Sequence, residues 1–144
     1  MQRLEGLTHL RSLYLNNVGI TDAGLKQIKG LSQLQSLTLV NTNITGAGLE
    51  AFKELTQLRW LDLKNTKFTD AGLENLKELP HLQFLDLTNT KITDVGLEQL
   101  KELHQLQELR LHNTHVTDDG ISNLHKTLPK LDIQLYEVED LLPR

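Results

Sequence analysis

At 144 residues the chain is long enough for one domain to bury a hydrophobic core without covalent staples. Its 15 Lys and Arg against 19 Asp and Glu make it mildly acidic, which argues against a nucleic-acid ligand and a polybasic membrane surface, since both need clustered positive charge. It has no cysteine, so a disulfide framework, a thiolate metal site and a cysteine nucleophile are all excluded.

In chain order, residues 1–6 carry a basic residue but no apolar run behind it. No secretory leader is expected, and with the cysteine count a cytoplasmic setting is favoured. No stretch approaches the apolar length of a membrane-spanning helix. Residues 4–9 then match the end of a unit whose front is missing. Complete copies open at Leu10, Leu34, Leu58, Leu82 and Leu106, five segments aligned without gaps at a spacing of 24. The first reads LRSLYLNNVGITDAGLKQIKGLSQ and the third LRWLDLKNTKFTDAGLENLKELPH.

Apolar residues fall at offsets 1, 4, 6, 11, 16, 19 and 22 of each copy, Thr127 at offset 22 of the fifth excepted; in the second they are Leu34, Leu37, Leu39, Ile44, Leu49, Phe52 and Leu55. Such an internal period decides the architecture before any single residue does. Offsets 4 and 6, flanked by polar residues, show strand alternation. Offsets 16, 19 and 22 mark one face of a helix. Each copy therefore reads as a short strand, a turn and a short helix. Thr at offset 12 (Thr21, Thr45, Thr69, Thr93, Thr117) suits a helix N-cap. The Asp after it favours the positive helix end, and Gly46 replaces that Asp in the second copy, predicting a less firm helix start there. Gly at offset 15 (24, 48, 72, 96, 120) costs about 1 kcal/mol against Ala in a helix, so its recurrence predicts close approach of the neighbouring backbone.

The pattern Leu-x-x-Leu-x-Leu-x-x-Thr-x-Ile resembles the leucine-rich-repeat family, in a 24-residue bacterial form similar to the repeats of F-box-associated and GALA-type proteins. The resemblance covers about residues 4–135. It implies an α/β class solenoid, a curved stack with a parallel sheet on the concave face and short helices on the convex face. The family's usual ladder Asn is replaced here by Val18, Thr42, Thr66, Thr90 and Thr114. A Thr hydroxyl can still donate to a backbone carbonyl of the next turn; Val18 cannot. Asn stands one place earlier, at 17, 41, 65, 89 and 113, and reads as a structural turn residue.

The two ends differ. The start is uncapped, and solenoids need capped ends for solubility. Either longer stacking precedes it, or its edge is covered by a partner or by self-association. Near Thr127-Leu128-Pro129 the spacing slips by one residue, after which Leu131, Ile133 and Leu135 read as a last strand. Residues 136–144, with Val138, Leu141 and Leu142, are expected to close the core as a cap. The whole of 1–144 is read as one domain.

Offsets 3, 5 and 7 should point onto the concave face. Strands about 4.8 Å apart put Trp60 beside Phe84, solvent-facing and bordered by Asp62 and Asp86. Exposed aromatics ringed by polar groups are typical of binding hot spots. The alternative is that the two rings only pack on each other and on Arg59. The candidate protein-binding residues are Tyr14, Trp60, Asp62, Lys64, Phe84, Asp86, Arg110 and His112. The convex sets Glu50/Lys53/Glu54, Glu74/Lys77/Glu78 and Glu98/Lys101/Glu102 read as ion pairs on a solvated face. His112 and His115 form an H-x-x-H spacing without a third His or any Cys close by, too few ligands for zinc. No nucleophile elbow, phosphate loop or H-E-x-x-H motif is present. The expectation is a non-catalytic module without cofactor that binds a partner protein. The alternatives are a structural or oligomer-forming solenoid and, as the resemblance implies, the substrate-recognition part of a ubiquitin-ligase adaptor or of an effector imitating one.

Overall fold

The computed structural model describes residues 6–47, 50–77 and 79–136. Strands β1 (Ser12–Tyr14), β2 (Ser36–Thr38), β3 (Trp60–Asp62), β4 (Phe84–Asp86), β5 (Glu108–Arg110) and β6 (Asp132–Gln134) form one parallel sheet in chain order. Each pairing is displaced by one repeat, so Leu13, Leu37, Leu61, Leu85, Leu109 and Ile133 stand in one row. Parallel neighbours require a long crossover, and the rest of each repeat supplies it. The ladder runs on past the strands: the N–H groups of Leu39, Leu63, Leu87 and Leu111 donate to Asp62, Asp86, Arg110 and Gln134 carbonyls of the following repeat. The leucines at offsets 4 and 6 of the three middle repeats are fully buried, as period-two alternation requires.

The convex side is less helical than the spacing of three predicts. Helices α1 (Asp22–Leu25), α2 (Asp70–Leu73), α3 (Asp94–Leu100) and α4 (Asp118–Thr127) are joined by 3₁₀ turns at Lys26–Ile28 and Glu50–Glu54. Leu76 N–H donates to Leu73, Leu79 to Leu76, Leu103 to Leu100 and Leu106 to Leu103. Each apolar residue is thus reached by a three-residue hydrogen-bonded step, and three residues per turn is 3₁₀ geometry. An α-helical face would drift away from strict i, i+3 placement; these turns keep offsets 16, 19, 22 and the next leucine on one line into the core.

The Thr, Asp and Gly of each copy act between repeats. Asp70 Oδ1 accepts from Thr93 N (2.9 Å) and its Oδ2 from the Thr93 hydroxyl (2.5 Å). Asp94 holds Thr117 in the same way at 2.8 and 2.5 Å, and Asp22 accepts from the amide and hydroxyl of Thr45. As N-caps the threonines are uneven: the hydroxyls of Thr93 and Thr117 accept from Val95 N and Gly120 N, whereas Thr21 and Thr69 make no such bond. The recurrent glycine makes room for this carboxylate at Gly96 and Gly120, and for the Gly46 backbone and the Phe68 ring at Gly72, where the expected close backbone approach is found. A Cβ on Gly96 would lie 2.3 Å from Asp70 Oδ1, and one on Gly120 2.1 Å from Asp94 Oδ1.

Gly46 interrupts the series. With no carboxylate there, Thr69 N–H donates to the Thr45 carbonyl instead, at 3.1 Å. Gly46 adopts φ +90°, a Cβ on it would lie 2.6 Å from Gly72 Cα and 2.8 Å from Phe68 Cε2, and among the described residues of the second repeat the helical segment is a 3₁₀ turn. Phe68, where most copies have Ile, fills the space the carboxylate vacates. Gly48 and Leu49 lie outside the described residues.

The five asparagines sit at φ 54–60°, the left-handed region that Asn tolerates better than other side-chain-bearing residues. Their amides also form a chain: Asn41 Nδ2 donates to Asn17 Oδ1 (2.7 Å), Asn65 to Asn41 (2.8 Å), Asn89 to Asn65 (2.5 Å) and Asn113 to Asn89 (2.7 Å). The threonines at the family's ladder position do not reach the next turn. Thr42, Thr66 and Thr90 are buried and donate back to Leu39, Leu63 and Leu87 carbonyls of their own turn at 2.6–2.7 Å.

The slip near Thr127 is local. Leu128 and Leu131 enter the core in place of residues 127 and 130, and by β6 the 24-residue period is restored, Glu108 pairing with Asp132. The expected cap beyond Tyr136 lies outside the described residues, as do Leu4, Glu5 and Glu78. Among the described residues no helix is long and apolar enough to cross a membrane.

Candidate functional site

Parallel register aligns equivalent offsets into rows across the concave face. The offset 3 row runs Ser12, Ser36, Trp60, Phe84, Glu108, Asp132, and the offset 5 row Tyr14, Thr38, Asp62, Asp86, Arg110, Gln134. The Trp60 and Phe84 rings lean together to a centroid distance of 3.6 Å with planes 10° apart. Arg110 covers Phe84, its guanidinium carbon 5.0 Å from the ring centroid, within cation–π range. Phe84 is therefore only 4% exposed, whereas Trp60 is 43% exposed. This corrects the expectation of two solvent-facing aromatics, because the sheet already covers the phenyl ring. Arg110, rather than Arg59, is the cation packed on the pair.

Arg110 Nε donates to Glu108 Oε1 at 2.8 Å, and its Nη1 lies 3.9 Å from Asp86 Oδ2. Burial works against the guanidinium charge, but the hydrogen bond to Glu108 and the charges of Glu108, Asp86 and Asp62 outweigh it and raise the Arg110 pKa. Asp86, expected at the rim, is 3% exposed and accepts from Thr88 N at 2.9 Å. Asp62 is half-buried and accepts from Lys64 N at 3.0 Å. Burial raises its pKa; the Lys64 amide lowers it, the Asp86 charge adds to the rise, and Lys64 and Arg110 offset it only in part. One row thus carries two adjacent carboxylates followed by a guanidinium.

Trp60, Phe84, Asp62, Asp86 and Arg110 are brought together over three strands. Lys64 joins them through its backbone. Tyr14 stands apart on the edge strand, 66% exposed and two strands from Asp62. His112 lies on the far side of Arg110, its Nδ1 3.1 Å from the Leu135 carbonyl oxygen. Among the described residues no three His, Asp or Glu side chains are grouped so as to hold a metal ion.

Two contributors lie outside the sequence-based set. Glu108 anchors Arg110, and its place beside Phe84 in the offset 3 row was a signal available from the period. Thr38, beside Asp62, is buried with its hydroxyl lacking a hydrogen-bond partner among the described residues, which no sequence pattern marks. On the convex face Lys77 pairs with Glu74 at 3.4 Å and Lys101 with Glu98 at 2.8 Å, exposed pairs of the kind that contribute little.

Comparison with known proteins agrees with this geometry. No curated protein matches the chain. Among solved structures it is similar to a leucine-rich-repeat protein of Leptospira interrogans, with 25% identity and a TM-score of 0.69, covering 90% of this chain and 38% of that one. It is also similar in fold to an internalin of Listeria monocytogenes, with 23% identity and a TM-score of 0.58, covering 93% of this chain and 50% of the other. The chain thus spans half or less of the length of these two proteins. The family model described as a leucine-rich repeat region matches residues 1–141, and the chain belongs to the leucine-rich-repeat family.

Proposed function

We propose that this chain is a non-catalytic protein-binding module whose contact surface is the concave strip centred on Trp60 and Asp62. Membership of a family of binding modules supports the general reading. The observation that carries the specific one is the half-exposed Trp60 ring, stacked on Phe84 beside the half-buried Asp62 carboxylate. A rigid aromatic anchor loses little entropy on binding, and an adjacent charge gives direction. Phe84, Asp86, Arg110 and Glu108 form the support beneath it. The role in a ubiquitin-ligase adaptor or an effector imitating one would use the same strip.

The test is affinity capture with the parent and with Trp60→Ala/Asp62→Asn, after both are shown to melt cooperatively. A protein held by the parent and lost by the variant supports the strip. Equal capture by both moves the contact surface elsewhere.

A second reading rests on the edge of the sheet. Among the described residues β1 pairs on one side only, Tyr14 and Val18 are exposed there, and a cavity is lined by Leu15, Val18, Gly19 and Ile20. A further repeat or another copy would stack on this edge. Light scattering over a concentration series separates the readings, since a monomer throughout removes self-association.

A further inference from the structure

The geometry points to the open face of Trp60, with Asp62 beside it, as a receptor for one arginine side chain of the partner. This rests on the protein-binding reading and specifies the chemistry of the group bound.

The molecule contains its own precedent for the arrangement. On β4 an aromatic ring at offset 3 and a carboxylate at offset 5 are met by a guanidinium that lies over the ring, 5.0 Å from its centroid, and 3.9 Å from the carboxylate. Strand β3 presents the same pair one register step away, Trp60 with Phe84 and Asp62 with Asp86. Phe84 covers one face of the indole. The residues across the other face are Ser36 and Thr38, too short to cover an indole and without charge. β3 therefore holds the aromatic and the carboxylate, and among the described residues the neighbouring strand β2 places no cation at the positions across from them. An incoming guanidinium would complete a four-layer stack: cation, Trp60, Phe84, Arg110.

Charge complementarity favours the same occupant. Asp62 and Asp86 are neighbours in one row, and Arg110 lies on the Asp86 side. Burial and then the Asp86 charge raise the Asp62 pKa, against the opposing effect of the Lys64 amide and the Lys64 and Arg110 charges, so a further cation at the open face would meet a carboxylate beside a second one. The unpartnered Thr38 hydroxyl borders Asp62 in the same row. Arg59 lines a groove together with Trp60 and Phe84, and its charge disfavours a second cation there, whereas Asp62 attracts one. Arginine fits better than lysine because its planar head stacks on an indole while donating sideways to a carboxylate, and it sheds hydration more readily.

The chain has a single tryptophan, so its fluorescence reports on this place. The experiment titrates the whole chain with acetyl-arginine amide and acetyl-lysine amide at matched ionic strength. The expected result is a saturable change in Trp60 emission with the arginine compound and at least several-fold weaker binding of the lysine compound. Asp62→Asn should weaken the arginine response about tenfold while the variant still melts cooperatively and no lower than the parent. Glu98→Gln on the convex face should leave the response intact. A non-saturating change, equal response to both cations, or an Asp62→Asn variant that binds as the parent does would overturn the proposal. If the amino-acid probes fail while protein capture still depends on Trp60 and Asp62, the arginine assignment falls and the binding strip stands. If capture is also independent of those residues, both fall.

Discussion

The joint at Gly46 can be tested by restoring it. In Gly46→Asp alone, the new side chain begins 2.6 Å from Gly72 Cα and 2.8 Å from Phe68 Cε2, on backbone at φ +90°. Overpacking of this kind costs about 1–3 kcal/mol, and left-handed backbone roughly 1–2 kcal/mol more for a residue with a Cβ. Phe68→Ile alone leaves a void in a fully buried site, at about 1–2 kcal/mol by interpolation between small and large truncations. Independent effects would sum to roughly 3–7 kcal/mol. In the double variant the smaller Ile vacates the space, residue 46 can take the conformation of Asp22, Asp70 and Asp94, and its carboxylate can accept from Thr69 N and hydroxyl. Hydrogen bonds to a charged acceptor contribute about 1.5–3 kcal/mol each. The double variant should therefore match or exceed the parent in stability, with a favourable coupling of at least about 3 kcal/mol. Urea unfolding of the four proteins gives the cycle directly. Additive destabilisation would refute the claim that Phe68 stands in for the missing carboxylate.

Other perturbations probe other parts. Leu85→Ala empties a fully buried site in the central strand row and should cost about 2–5 kcal/mol; a thermal shift below a degree or two would contradict the inward phase of the strands. Asn65→Ala both breaks the amide chain and places a Cβ-bearing residue at φ 58°, so it should cost about 1–2 kcal/mol more than Asn65→Gly, which breaks the chain alone. Equal losses in chemical unfolding would mean that the backbone conformation carries no penalty. For Asp62 the folded pKa lies above the ordinary 3.8, chiefly through burial, with Asp86 adding to the rise and Lys64 and Arg110 opposing it. The stability it contributes is full below that ordinary value and lost as pH rises through the folded one. Asp62→Asn should thus melt above the parent at neutral pH and lose this advantage in acid; a constant difference across pH would contradict the assigned ionisation.

The fold was legible because the leucine positions repeat with a fixed period, and each row of the sheet inherits its composition from one offset. The register that sets Trp60 against Phe84 follows from the same arithmetic. What the period could not convey was how neighbouring side chains share space. Phe84 occupies the same offset as Trp60, yet its exposure is decided by Arg110 in the next copy, through a contact between different offsets. The Asp at offset 13 looks in sequence like an ordinary helix-start residue, because its partner Thr is 23 residues away. The i, i+3 leucines likewise fit both an α-helical face and a succession of 3₁₀ turns, and only the hydrogen bonds separate the two.

The row of asparagine amides has a sense as well as a spacing. Every link runs from the Nδ2 of a later residue to the Oδ1 of an earlier one. Among the described residues this leaves the Asn17 Nδ2 as an unused donor at one terminus of the row and the Asn113 Oδ1 as an unused acceptor at the other. The stack is therefore a polar rod. Whatever docks against the Asn17 terminus in continuation of the row has to present an acceptor, and whatever docks against the Asn113 terminus a donor. Two copies meeting head to tail would continue the chain of amides, whereas two meeting head to head would oppose donor to donor.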